Sequence, residues 1–206
     1  MDNKAYLEQI AQSNRPIKQH GSLANLFSSK LTKILFISIA ALIVVIIAGS
    51  LISGSSASIK DKTISLKIHF DGLIETLKTY QSSVKSPALR AASASLSSIS
   101  ENTSASLSEY LTAKYNLKDG KYDKKLQAKE DTLIKALDDE LFEAKISSLL
   151  DRTFARKIAY EISLLSDREQ QIYHKTNDSE LKTILQKSFN SLDNLYDSFN
   201  DFSETK

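Results

Sequence analysis

Cysteine and tryptophan are absent from the 206 residues, and glycine and proline are scarce, at five and two. Without cysteine there is no disulfide framework, no thiolate zinc site and no cysteine nucleophile, while the redox compartment stays open. Neither glycine nor proline occurs after Gly120. That leaves few positions for tight β-hairpin turns and points to an all-α chain. A surplus of one charge sign is missing as well: 27 basic side chains are interspersed with 25 acidic ones. No field of the kind that concentrates on a nucleic-acid-binding face builds up, so nucleic acid is not an expected partner. The length suits one ordinary domain plus an anchor.

The anchor is the longest apolar stretch. From Ile34 to Ile52 run nineteen residues without a charge, about 28 Å of helix against a hydrocarbon core of roughly 30 Å. Residues 34–52 therefore read as a transmembrane helix in contact with the lipid bilayer. A cleaved signal peptide has a shorter charged region and a shorter apolar stretch than the 33 residues and nineteen residues found here, so an uncleaved signal-anchor is expected. Arg15, Lys18, Lys30 and Lys33 precede the span, whereas Lys60, Lys62 and Lys67 follow only after a neutral spacer. This bias keeps residues 1–33 as a cytoplasmic tail and exports the C-terminal part of a single-pass cell-membrane protein. Within the tail, Leu23, Leu26, Phe27 and Leu31 fit either an interfacial segment or an extension of the membrane helix.

Residues 53–60, rich in serine, read as a flexible linker, and residues 61–206 as the exported domain. Leu66, Phe70, Leu73, Ile74, Leu77, Tyr80 and Val84 mark one face of a helix over about 61–84. Ser86-Pro87 ends it and starts a second helix over about 87–115, because proline is tolerated in a first turn and restricts the residue before it. Residues 116–123 form a loop, with Gly120 available for a positive φ. Residues 124–175 carry helical stripes through Leu126, Leu133, Leu137 and Leu141 and then through Leu150, Phe154, Ile158, Ile162, Leu165 and Ile172. Whether this is one helix or two is open, with an interruption expected between about Asp138 and Ser148. Asn177-Asp178-Ser179-Glu180 is a cap signal for a last helix carrying Leu181, Ile184, Leu185, Leu192, Leu195, Phe199 and Phe202. Three or four helices of this kind bury their stripes in an antiparallel helical bundle; an elongated coiled-coil hairpin is the alternative, and a homo-oligomer stays open.

Ser86–Tyr115, with its alanine- and serine-rich helix, and Leu150–Phe199, with its order of long helix, short turn and final helix, resemble a bacterial family of exported ferritin-like four-helix bundles of unknown function. The resemblance implies a bundle. It carries over no ligand, because the family's helix histidines have no counterpart near Ser100, Ile162 and Leu195.

No Glu-x-x-His pair of the di-iron type occurs, and no Gly-rich phosphate loop or nucleophile elbow is present. His69, His174 and His20 are expected at the surface, at helix ends or in the tail, and neither a metal nor another cofactor is expected. Asp193, Asp197 and Asp201 form an i, i+4, i+8 row, a candidate acidic partner face whose plainer reading is a solvated surface. Lys118, Lys121, Lys124 and Lys125 form a candidate membrane-proximal basic patch, whose plainer reading is a solubilised turn. The many serines between Ser86 and Ser108 suit a weakly packed, solvent-facing helix or, alternatively, close helix packing. The sequence thus favours a structural or interaction module at the cell envelope, without enzymatic activity, that engages an envelope protein or polymer. A ligand-sensing ectodomain working with a separate signalling partner is the alternative, and a ferritin-like metal-binding enzyme or storage protein ranks last.

Overall fold

A computed structural model describes residues 58–118 and 120–202. The apolar run at 34–52, the tail before it and His20 lie outside these residues. All regular structure described is helical, in five α-helices. They are α1 (Ile59–Tyr80), α2 (Pro87–Tyr115), α3 (Lys124–Ile146), α4 (Leu150–Lys175) and α5 (Ser179–Asn200), and a 3₁₀ turn at Gln81–Ser83 extends α1.

Local chemistry sets most boundaries. Ser58 accepts a hydrogen bond from Asp61 N, Ser86 from Leu89 N, Asp123 from Lys125 N and Asp178 from Leu181 N, so four helices start on a side-chain cap. Asn116 ends α2 in the left-handed region at φ 51°, a conformation asparagine tolerates. The stretch expected to break between Asp138 and Ser148 does break, at its far edge. Ser148 takes φ 61°, and Leu149 N donates to Ala144 O at 2.9 Å, closing the end of α3. The break therefore makes five helices where three or four were expected.

The helices pack as a ring in the order α1, α2, α5, α4, α3 and back to α1, with α1 also touching α4. Four neighbouring pairs run antiparallel. A ring of five cannot alternate throughout, and the parallel pair is α1 with α3: Ser65 meets Glu130, Gly72 lies under Ile134, and the Tyr80 hydroxyl donates to Asp138 O. Gly72 permits this approach, since a Cβ there would come within 2.4 Å of Ile134. The loop 116–123 must cross α1 to join α2 to α3, and Lys67 of α1 sits over the Tyr122 ring at 5.6 Å.

The expected stripes form the core. Leu66, Phe70, Leu73 and Leu77 of α1, Phe154, Ile158 and Leu165 of α4, and Leu181, Leu185 and Leu192 of α5 are all buried in one cluster. The serine-rich α2 departs from the solvent-facing reading. Leu89, Leu96, Leu107, Tyr110 and Leu111 are buried together with Ser93, Ser100 and Ser104, so small side chains serve close packing on its inner face.

Residues from Ala57 onward form one compact unit. A fragment from Ala57 onward is expected to give a helical circular dichroism spectrum and one cooperative melt, unchanged by a chelator. Loss of structure on chelation would show that a metal completes the fold.

Candidate functional site

The most unusual chemistry lies inside the bundle. His69, in the middle of α1, is 1% exposed, which corrects its expected placement at the surface or a helix end. Its Nδ1 lies 2.9 Å from Glu130 Oε2 of α3 and its Nε2 lies 2.8 Å from Glu161 Oε2 of α4. A carboxylate at each ring nitrogen favours the imidazolium, in which both nitrogens donate. Arg168 of α4 donates to Glu130 Oε2 at 2.9 Å, and Ser65 of α1 donates to Glu130 Oε1. Two positive and two negative groups close a neutral layer that fastens α1, α3 and α4 together.

Electrostatics follow from that geometry. Burial pushes the Glu130 carboxyl up, but the His69 hydrogen bond, the Arg168 charge and the Ser65 hydroxyl outweigh it and bring it to about 2. Burial alone would lower His69; its bonds to Glu130 and Glu161 prevail over burial and over the Arg168 charge, and the imidazole ends above its ordinary value. Each imidazole nitrogen already meets a carboxylate, and no group of His, Asp and Glu arranged to hold a metal ion occurs among the described residues.

Glu169, two turns after Glu161 on α4, is 1% exposed, and neither of its oxygens has a hydrogen-bond partner. Ser188 of α5 is its polar neighbour, and Ser188 in turn accepts from Thr103 of α2 at 3.0 Å. Burial pushes the Glu169 carboxyl up to about 8, opposed only in part by the Ser188 hydroxyl. It is therefore a neutral acid at neutral pH.

The residues singled out from the sequence lie elsewhere. Lys118, Lys121, Lys124 and Lys125 are exposed around the start of α3, at the end of the bundle where α1 begins. Lys60 beside Tyr115 and Lys114 against Asp178 place the ends of α2 and α4 at this same linker end. Asp193, Asp197 and Asp201 are exposed along the last turns of α5. They approach the opposite, distal end, where Phe154 meets Phe199 and the Asp151 carboxylate accepts from Lys85 N and Ser86 N. His174 is exposed in the last turn of α4. The distal end also shows Phe142, Ile146 and Leu149 to solvent, Ile146 at 64%. An open pocket of about 650 Å3 lies at the linker end, lined in part by Tyr110, Lys114, Tyr115, Lys175 and Asp178.

No protein family, curated protein or solved structure matches the chain.

Sequence reasoning passed over the buried layer although its register was visible. His69 stands three residues after Leu66 and four before Leu73; Glu130 stands four after Leu126; Glu161 lies between Ile158 and Leu165; Glu169 lies between Leu165 and Ile172. Each occupies a core position of an apolar stripe, where a charged residue signals a buried partner.

Proposed function

We propose that this chain is a membrane-anchored interaction module at the cell envelope: residues 34–52 span the bilayer, residues 1–33 stay in the cytoplasm and the bundle is exported. One observation supports this reading above the others, the polarity of the bundle along its axis. The linker end carries the basic loop, while the distal end carries exposed Phe142, Ile146 and Leu149 on the α3 side and, on α5, the acidic row of Asp193, Asp197 and Asp201. Exposed apolar side chains grouped beside polar ones suit a protein partner, and the acidic row favours a basic one. The reading includes no enzymatic activity, because the titratable layer around His69 is closed to substrate. A sensing ectodomain working with a separate signalling partner is the second reading, favoured by Glu169, an unpartnered acid in a helix that contacts α1, α3 and α5.

The absence of cysteine allows a direct test with single introduced thiols. In intact cells a membrane-impermeant maleimide is expected to label I146C and Q171C but not S13C, which labels only after permeabilisation. The partner is expected to slow labelling of I146C in cells relative to the purified chain, while Q171C, on an exposed stretch of α4, reacts alike in both. Labelling of S13C from outside would reverse the topology, and equal protection at both exported sites would remove the distal interface.

A further inference from the structure

A buried imidazole held between carboxylates of two other helices can keep both contacts in only one protonation state. The imidazolium has two N–H donors and the neutral ring has one. Charged, His69 uses both, Nδ1 on Glu130 of α3 at 2.9 Å and Nε2 on Glu161 of α4 at 2.8 Å. Loss of one proton leaves a ring lone pair facing a carboxylate, and that contact opens because neither group can donate. The two arms are unequal. Glu130 also accepts from Arg168 at 2.9 Å and from Ser65. Glu161 has His69 as its sole hydrogen-bond or ion-pair partner among the described residues, and its side chain is 10% exposed against 0% for Glu130. Breaking the Glu130 contact strands a carboxylate away from water, whereas breaking the Glu161 contact frees one that already borders solvent. No other charge can stand in. The buried side chains of α2 carry none, and Glu130 is the one charged residue buried on α3. On α1, Lys67 and Asp71 pair with each other at 2.6 Å. On α4, Arg168 is engaged by Glu130, and Glu169 faces Ser188 of α5.

We propose that the His69 layer is a proton-operated latch on α4. With both ring nitrogens protonated it ties α1 to α3 and to α4. When the Nε2 proton leaves to a base in solvent, Nδ1 keeps its hydrogen on Glu130 Oε2, and Glu161 turns away to water. α1 and α3 stay fastened, while the middle of α4 loses its polar tie to α1. Burial lowers the His69 pKa, the two carboxylates raise it, and the balance lies above 6.5. The latch is therefore closed in acid and opens as pH rises through the folded pKa, on the alkaline side of that value. Because α4 also borders α3 and α5, its release makes the packing of the bundle responsive to the pH around it. All members of the latch lie within the bundle, so it is independent of the anchored reading.

The test uses the full chain in neutral detergent, carrying nitrogen-15-labelled histidine, from about pH 5.5 to about 9.5. The chain has three histidines, so H20Q/H174Q leaves His69 as the only signal. His69 is expected to titrate above 6.5, with Nε2 losing its proton and Nδ1 keeping it. Backbone hydrogen exchange over residues 158–165 is then compared with that of E161Q at each pH. In E161Q the amide accepts from the charged ring and donates to the neutral one, so the contact survives in both states. The variant retains Glu169, so the comparison cancels ionisation of that residue and the intrinsic pH dependence of exchange. The ratio of native to E161Q exchange rates is expected to rise at least about tenfold across the His69 titration, the mark of local opening in the native chain alone. A constant ratio with E161Q folded by circular dichroism, loss of the proton from Nδ1 instead, or no titration of His69 in this range overturns the proposal. Should E161Q not fold, the nitrogen that loses its proton in the chain with Glu161 intact still decides: Nε2 supports the latch and Nδ1 sinks it.

Discussion

Glu169→Gln is expected to make the bundle more stable at about pH 7.5, by roughly 1–3 kcal/mol. The folded carboxyl, raised from 4.5 to about 8 by burial, keeps its proton where the unfolded chain has lost it. A raised pKa contributes stability that is fully present below 4.5 and is lost as pH climbs toward about 8. At about 1.4 kcal/mol per pKa unit, three units amount to approximately 4 kcal/mol near pH 7.5. Glutamine removes that dependence. It returns part of the gain because its buried amide has two donors to satisfy, with Ser188 the neighbour it inherits. The gain is expected to shrink as pH falls, to reach zero between about pH 5 and 7 and to become a loss near 4.5, where only the cost of the buried amide remains. Denaturant unfolding of both proteins across pH 4.5–8.5 checks this, and parallel stability curves for variant and native would show that Glu169 is ionised or solvated when folded.

The fold was legible wherever apolar spacing and caps agreed. Pro87 behind Ser86 and the Asn177–Glu180 cap fixed three helix ends, and the stripes through Phe70, Phe154 and Leu192 became core as expected. The division of 124–175 was less legible. The chain turns there on Ser148 in the left-handed region, a conformation whose usual marker is glycine. Nor does periodicity reveal which helices become neighbours. The parallel contact of α1 with α3 depends on Gly72 admitting Ile134, and a lone glycine within a helix does not name what packs on it. The His69 layer was hidden for a related reason: each member occupies a core position of its own stripe, but the charges balance only across three helices. Counting ligand spacings along the chain looked for pairs within one helix, whereas His69 finds its partners 61 and 92 residues away.

Glu130→Ala is expected to cost about 3–5 kcal/mol, the loss typical when one partner of a buried ionic cluster is removed. Glu130 is fully buried and accepts from His69, Arg168 and Ser65 at once. Its removal leaves the imidazolium with Glu161 alone and the guanidinium without its carboxylate. The choice of pH matters because two groups pull in opposite directions. His69, raised above 6.5, contributes stability that is complete below that value and lost as pH rises through its folded pKa. Glu130, lowered to about 2, contributes stability that is complete above 4.5 and lost as pH falls through about 2. Between 4.5 and 6.5 both contributions are present in full, and the loss should be measured there, by denaturant unfolding near pH 6. Replacing the layer as a whole is expected to behave differently. In H69L/E130M/E161M no uncompensated carboxylate remains, and Arg168, with its side chain 21% exposed, can turn to water. That triple variant is expected to lie within about 2 kcal/mol of the native chain, since apolar groups of similar volume often replace buried ion clusters with little loss. A cost below about 0.5 kcal/mol for Glu130→Ala, the range of an ordinary surface change, would mean that water already reaches the layer and that it does not fasten α1, α3 and α4.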